Sequence, residues 1–130
     1  MIEAEKLTKR FGGRAVVDDV TFRCEPGTVT GFLGPNGAGK TTTMRMICGF
    51  SKPDTGTAGV LGGSYRALPN PGRRVGVLLD ASAQHGGRRG REALAISAQT
   101  MGVEEKRVDD LLGLVGLDRS AARKRVRQYS

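Results

Sequence analysis

Along the first eighty residues the apolar positions follow strand periods. Val20, Phe22 and Cys24 alternate with Thr21, Arg23 and Glu25, a period of two that predicts a strand buried on one face. Pro26-Gly27 supplies a turn after it. Val29-Thr-Gly-Phe-Leu33 predicts a second strand, short and apolar. After a glycine-rich stretch, Thr41–Cys48 reads as a helix with Met44, Ile47 and Cys48 on one face and Gly49 as its stop. Pro53-Asp-Thr-Gly56 predicts a turn into a short strand around Thr57–Leu61. Val75–Leu79 is apolar at nearly every position, the pattern of a strand covered on both faces of a parallel sheet.

The period then changes to that of helices. Leu94, Ala98 and Met101 share one helical face. Val108, Leu111, Leu112 and Val115 recur at i, i+3, i+4 and i+7, with Glu104 and Glu105 in the first turn and Gly116 past the end. Asp118 is placed to cap a third helix, and the Arg123–Arg127 cations suit a helix C-terminus. The pattern is therefore α/β first and helical afterwards.

Composition narrows the class. A chain of 130 residues with 38% hydrophobic and 26% charged residues suits one soluble domain, and its 20 glycines show no collagen-like period. The start, Met1-Ile-Glu-Ala-Glu, has acids where a secretory signal carries a basic run, and Val75–Leu79 is too short to span a membrane. A cytoplasmic location is expected. Cys24 and Cys48 are too few for a metal knuckle or a disulfide framework and read as structural thiols. The net charge of +8 is uneven: residues 1–65 hold 8 Lys+Arg against 6 Asp+Glu, and residues 66–130 hold 13 against 7. The excess gathers in Arg88-Arg89-Gly-Arg91 and Arg123-Lys-Arg-Val-Arg127. Such runs suit nucleic acid or an anionic membrane surface, but aromatic interleaving and a reader motif are lacking, so no specific nucleic-acid partner is expected.

The chemistry is concentrated in Gly34-Pro-Asn-Gly-Ala-Gly-Lys-Thr41, which fits G-x-x-x-x-G-K-[ST] without a mismatch between a predicted strand and a predicted helix. Gly34, Gly37 and Gly39 let the backbone curl so that successive N–H groups point at phosphate oxygens, and Pro35 fixes φ early in the loop. Asn36 and Ala38 tolerate the tight path. The helix start adds its positive dipole end, Lys40 reaches the β- and γ-phosphates, and the Thr41 hydroxyl takes a Mg²⁺ position, with Thr42 following in the same turn. His85, in the loop Gln84-His-Gly-Gly, has no second ligand or nucleophile nearby and reads as a loop residue.

With these residues in hand the chain resembles an ABC transporter ATP-binding subunit over nearly its whole length. Leu7-Thr-Lys-Arg-Phe11, Asp18-Asp-Val-Thr-Phe22, Gly34–Thr43 and Pro53-Asp-Thr-Gly56 are similar to family blocks in the same order. The likeness is closest to the type whose ATPase is a separate chain, often linked to drug or antibiotic export. It implies an α/β P-loop NTPase core with an antiparallel β edge over residues 1–86, then the start of a helical subdomain over 87–130. It also implies ATP and Mg²⁺ as cofactors, with Phe11 stacked on adenine. Taken alone, Phe11 reads as ordinary core. The implied partners are a membrane permease and a second ATP-binding subunit, at the inner face of the cell membrane.

Two departures bear on catalysis. The family usually places Gln after the strand equivalent to Val75–Leu79, where it contacts Mg²⁺ and the attacking water. Here the position holds Asp80, with Gln84 four residues later. A carboxylate can accept from water or hold Mg²⁺ through water, which makes Asp80 the candidate catalytic and metal residue; the other reading is a loop acid. The signature segment, Walker B pair and switch histidine have no counterpart in these 130 residues, so the expectation is ATP binding with little turnover. One rival makes Val75–Leu79 a Walker B strand and Asp80 its acid, in a compact complete NTPase. It lacks both a neighbouring glutamate and a guanine-reading motif. A truncated product without an autonomous role is the other alternative.

Overall fold

The computed structural model describes residues 1–80 and 83–129; Ala81, Ser82 and Ser130 lie outside it. Strand β1, Ile2–Phe11, and strand β2, Arg14–Cys24, form an antiparallel hairpin closed by Gly12 and Gly13, whose φ values of 54° and 80° are those of a tight two-residue turn. Strand β3, Thr55–Val60, pairs antiparallel with the other edge of β1, giving the order β2-β1-β3. Lys6 and Asp19 both take left-handed φ of 48° where the register shifts. Threonine side chains satisfy these irregularities: Lys6 N donates to Thr21 Oγ1 at 2.9 Å and Asp19 N to Thr8 Oγ1 at 3.0 Å. Gly56 (φ 80°) opens β3 where only glycine fits, because a Cβ there would collide with the Glu5 and Lys6 carbonyls.

Helix α1, Lys40–Ile47, packs Met46 against Ala4, Leu7 and Val17 of the hairpin. Its inward face is the predicted one in part: Cys48 is buried and Ile47 half-buried. Thr43 and Met46 are buried, while Met44 is exposed. Thr43 can be buried because its hydroxyl donates to the Gly39 carbonyl at 3.0 Å, so no polar atom is stranded.

The described chain divides into two compact units, Met1–Pro71 and Gly72–Ser130. The second is helical: α2, Gly90–Thr100; α3, Lys106–Leu114; and α4, Arg119–Arg123. Ala98, Val108, Leu112 and Ala122 form its core. Asp118 caps α4 as its position predicts, accepting from Ala121 N at 2.7 Å, a bond that holds its carboxyl below the ordinary range. The Arg91 guanidinium forks onto both Asp109 oxygens (2.9 and 3.0 Å) and onto Glu105 (2.8 Å), tying α2 to α3.

Two predicted strands do not form. Residues 29–33 and 75–79 are irregular, with Val29 103%, Leu33 92% and Leu78 80% exposed. An apolar run becomes a strand only when neighbouring strands take its N–H and C=O groups, and among the described residues neither run has such a neighbour. Phe32, Val75 and Leu79 are half-buried, Phe32 lying 5.4 Å ring to ring from Phe22.

Candidate functional site

The loop from Gly34 to Gly39 folds around the side chain that follows it. Lys40 Nζ donates to the carbonyls of Gly34 (2.6 Å) and Pro35 (2.7 Å), and Ala38 N donates to Pro35 O at 3.2 Å. The ammonium thus closes the loop into a ring, with its third donor still to place. Gly37 and Gly39 take φ of 84° and 81°, the left-handed region an L side chain rarely adopts. Gly39 is constrained twice. A Cβ there would drive into the Val16 carbonyl of β2 and stand 3.0 Å from Val17 Cγ2.

Gly39 is also the N-cap of α1 and offers no side chain to the helix start. The first intrahelical bond from this end is Thr43 N to Gly39 O, 2.8 Å. Helix geometry leaves the N–H groups of Lys40, Thr41 and Thr42 at the open end, where the macrodipole is positive. Thr41 is exposed and Thr42 half-buried. Asn36 and Ala38 are exposed along the same loop. Left-handed glycines, a lysine ammonium, open amides and an exposed threonine hydroxyl form a donor set fitted to a polyphosphate with its cation.

Phe11 ends β1, opposite Arg14, and is 55% exposed. Lys9 Nζ sits 5.5 Å from its ring centroid. Arg14 is two residues before Val16, the point where Gly39 meets β2, or about 7 Å along the strand. Phe11 thus lies at the hairpin end, in the same unit as the loop.

Sequence spacing missed a clip that fixes this hairpin end. Lys9 Nζ donates to Asp54 Oδ1 at 2.9 Å and to Lys52 O at 2.8 Å, and Arg10 N donates to Asp54 Oδ2 at 2.7 Å. These bonds, the Arg10 amide first, hold the Asp54 carboxyl below the ordinary carboxylate range. Pro53-Asp-Thr-Gly56 marked the turn, but nothing in its spacing pointed to Lys9. Asp80 stands in the second unit, exposed, and its backbone carbonyl accepts from Ala83 N at 3.3 Å. The segment before it is not a strand, which removes the element that the compact-NTPase rival requires. Cys24 and Cys48 are free, half-buried and buried, and burial raises the Cys48 thiol. His85 is exposed, and its Nδ1 accepts from Gly87 N at 3.3 Å.

The family model described as ABC transporter matches residues 17–130, and the chain belongs to that family. The bacitracin transport ATP-binding protein BcrA of Bacillus licheniformis is 35% identical over 119 residues, covering 90% of this chain and 39% of its own length. The Fe(3+) ions import ATP-binding protein FbpC 3 of Rhodococcus jostii is 36% identical over 134 residues, covering 99% of this chain and 38% of its own. The chain thus spans about two-fifths of the length of these curated relatives. A solved ATP-binding subunit of an ABC transporter superposes with a TM-score of 0.74 at 26% identity, over 99% of this chain and 55% of its own. A dimeric ATP-binding cassette in a post-hydrolysis state, bound to ADP and Pi, superposes at 0.77 over all of this chain and 63% of its own; at 20% identity it shares the fold. The fold class is α/β of the P-loop type, as the sequence predicts. Among the described residues no helix is long and apolar enough to cross a membrane.

Proposed function

We propose that this chain forms the MgATP-binding part of an ABC transporter ATP-binding subunit. The observation that carries the reading is the loop closed on Lys40 at the open N-terminus of α1, with Gly37 and Gly39 both left-handed. The backbone amides from Gly34 through Gly39, with those of Lys40, Thr41 and Thr42, hold the phosphates. The third Lys40 donor turns to them, the Thr41 hydroxyl takes a Mg²⁺ position, and Phe11 stacks on adenine. Mg²⁺ held through the Thr41 hydroxyl would supply charge that neutralises the phosphates. Asp80 takes the place of the family's Gln, as a carboxylate that holds water or Mg²⁺.

Residues 1–86 serve as the ATP-binding core and 87–130 as the start of a helical subdomain. The chain works with a second ATP-binding subunit and a membrane permease, at the cytoplasmic face of the membrane. Relatives named for bacitracin transport and for ferric-ion import match at nearly equal identity, which supports assigning the cargo to the permease.

Melting with and without MgATP tests the site. A ligand at a hundredfold excess over its Kd stabilises the chain by about 2.7 kcal/mol, and Lys40→Ala abolishes the resulting rise in Tm. An undiminished rise in the mutant overturns the assignment.

A further inference from the structure

The two arginine-rich runs lie far apart in sequence, and the fold lays them side by side. Gly90 N donates to Lys124 O (3.0 Å), Val126 N to Arg88 O (2.8 Å) and Arg127 N to Gly86 O (3.1 Å), with Arg89 bridged antiparallel to Arg125. This short ladder and the end of α4 gather Arg88, Arg89, Arg123, Lys124, Arg125 and Arg127, all exposed. Residues opposed in an antiparallel pair share a face with Cβ atoms about 5 Å apart, which sets Arg89 beside Arg125, while Arg127 follows in a short 3-10 turn over Val126–Gln128. Like charges so opposed repel, so the arrangement is stabilised by whatever brings negative charge to it.

The nearby carboxylates are engaged elsewhere. Glu92 accepts from the Arg89 amide and Asp118 from the Ala121 amide, although Asp118 also feels the charge of Lys124. Among the described residues none of the six cations is in an ion pair. Nor is there a stacking platform for bases. Tyr129 donates its hydroxyl to Ala121 O at 2.6 Å and its ring crowds Gly90.

We infer that this ladder docks the chain onto an anionic phospholipid surface. A layer of headgroups asks for clustered, exposed, flatly arranged cations and neither stacking nor groove-reading. The choice of a lipid surface rests on the proposed membrane-side role; the clustering of charge does not.

The test is co-sedimentation of the 130-residue chain with phosphatidylcholine vesicles with and without phosphatidylglycerol. Binding is expected only to the anionic vesicles and falls steeply with salt. Neutralising the ladder (R88Q/R89Q/R125Q/R127Q) weakens binding at least about tenfold. Removing the same charge elsewhere (R45Q/K52Q/R73Q/R74Q) weakens it less than about twofold, the residue of a lower net charge. Circular dichroism shows whether each variant is folded. Equal losses in the two variants overturn the inference, as does binding to a single-stranded oligonucleotide but not to anionic vesicles at physiological salt. The MgATP-induced rise in Tm, read on the same samples, reports the nucleotide site separately, so failure of one reading is not mistaken for failure of the other.

Discussion

Glycines that look alike in the loop motif have different physical duties. Gly39 combines φ of 81° with a backbone carbonyl in the space a Cβ would fill, so Gly39→Ala must move the loop, the start of α1 or β2. A cost of about 2–4 kcal/mol is expected. Gly34 has no positive φ, and its Cβ would meet Ala38 Cβ at an ordinary 3.4 Å, so Gly34→Ala costs less than about 1 kcal/mol. Urea denaturation of the two single variants checks the contrast, and similar losses would show that the Val16 contact is not what makes position 39 special. Lys40 is also a double agent at this scale. Its ammonium holds the empty loop through two carbonyls, so its replacement removes both a phosphate ligand and the loop's own closure.

Between elements, Asp54 connects the turn before β3 to the end of β1. Its carboxyl is held below the ordinary range, so it binds its proton more weakly folded than unfolded. The sign follows from linkage: the contribution is fully present above the unfolded pKa of about 3.9 and is lost as pH falls through the lower folded value. Asp54→Asn should therefore melt below wild type at pH 7, and the gap should close as pH drops below about 4. A gap that stays constant with pH would assign the effect to packing. Asp109, lowered chiefly by its bonds from Arg91, adds an acid-sensitive link of the same sign between α2 and α3.

At the scale of the whole chain, each of the two units carries a core of its own. Leu7 is fully buried in the first and Leu112 is 6% exposed in the second. Truncating either to alanine costs about 2–5 kcal/mol. Among the described residues the two clusters have no member in common, so the double variant should lose the sum to within about 0.5 kcal/mol. Calorimetry of the four proteins measures this, and a larger discrepancy would reveal coupling between the cores.

What the sequence by itself determined is what short-range rules encode. The loop residues 34–41, the helix after them, the strand over Val20–Cys24, the cap at Asp118 and the helical faces around Ala98, Val108 and Leu112 all follow from spacing within about ten residues. Phe11 and Asp80 entered as candidates through family likeness, since an isolated aromatic or acid carries no spacing signal. Tertiary structure decided what depends on partners distant in sequence. Val16 makes Gly39 irreplaceable, Lys9 finds Asp54, and Arg89 comes to face Arg125. The same reason explains the two strands that pattern predicts and the structure lacks. Alternation and apolarity state which side chains seek burial, but a strand exists only where a neighbour accepts its backbone hydrogen bonds, and no local pattern supplies that neighbour.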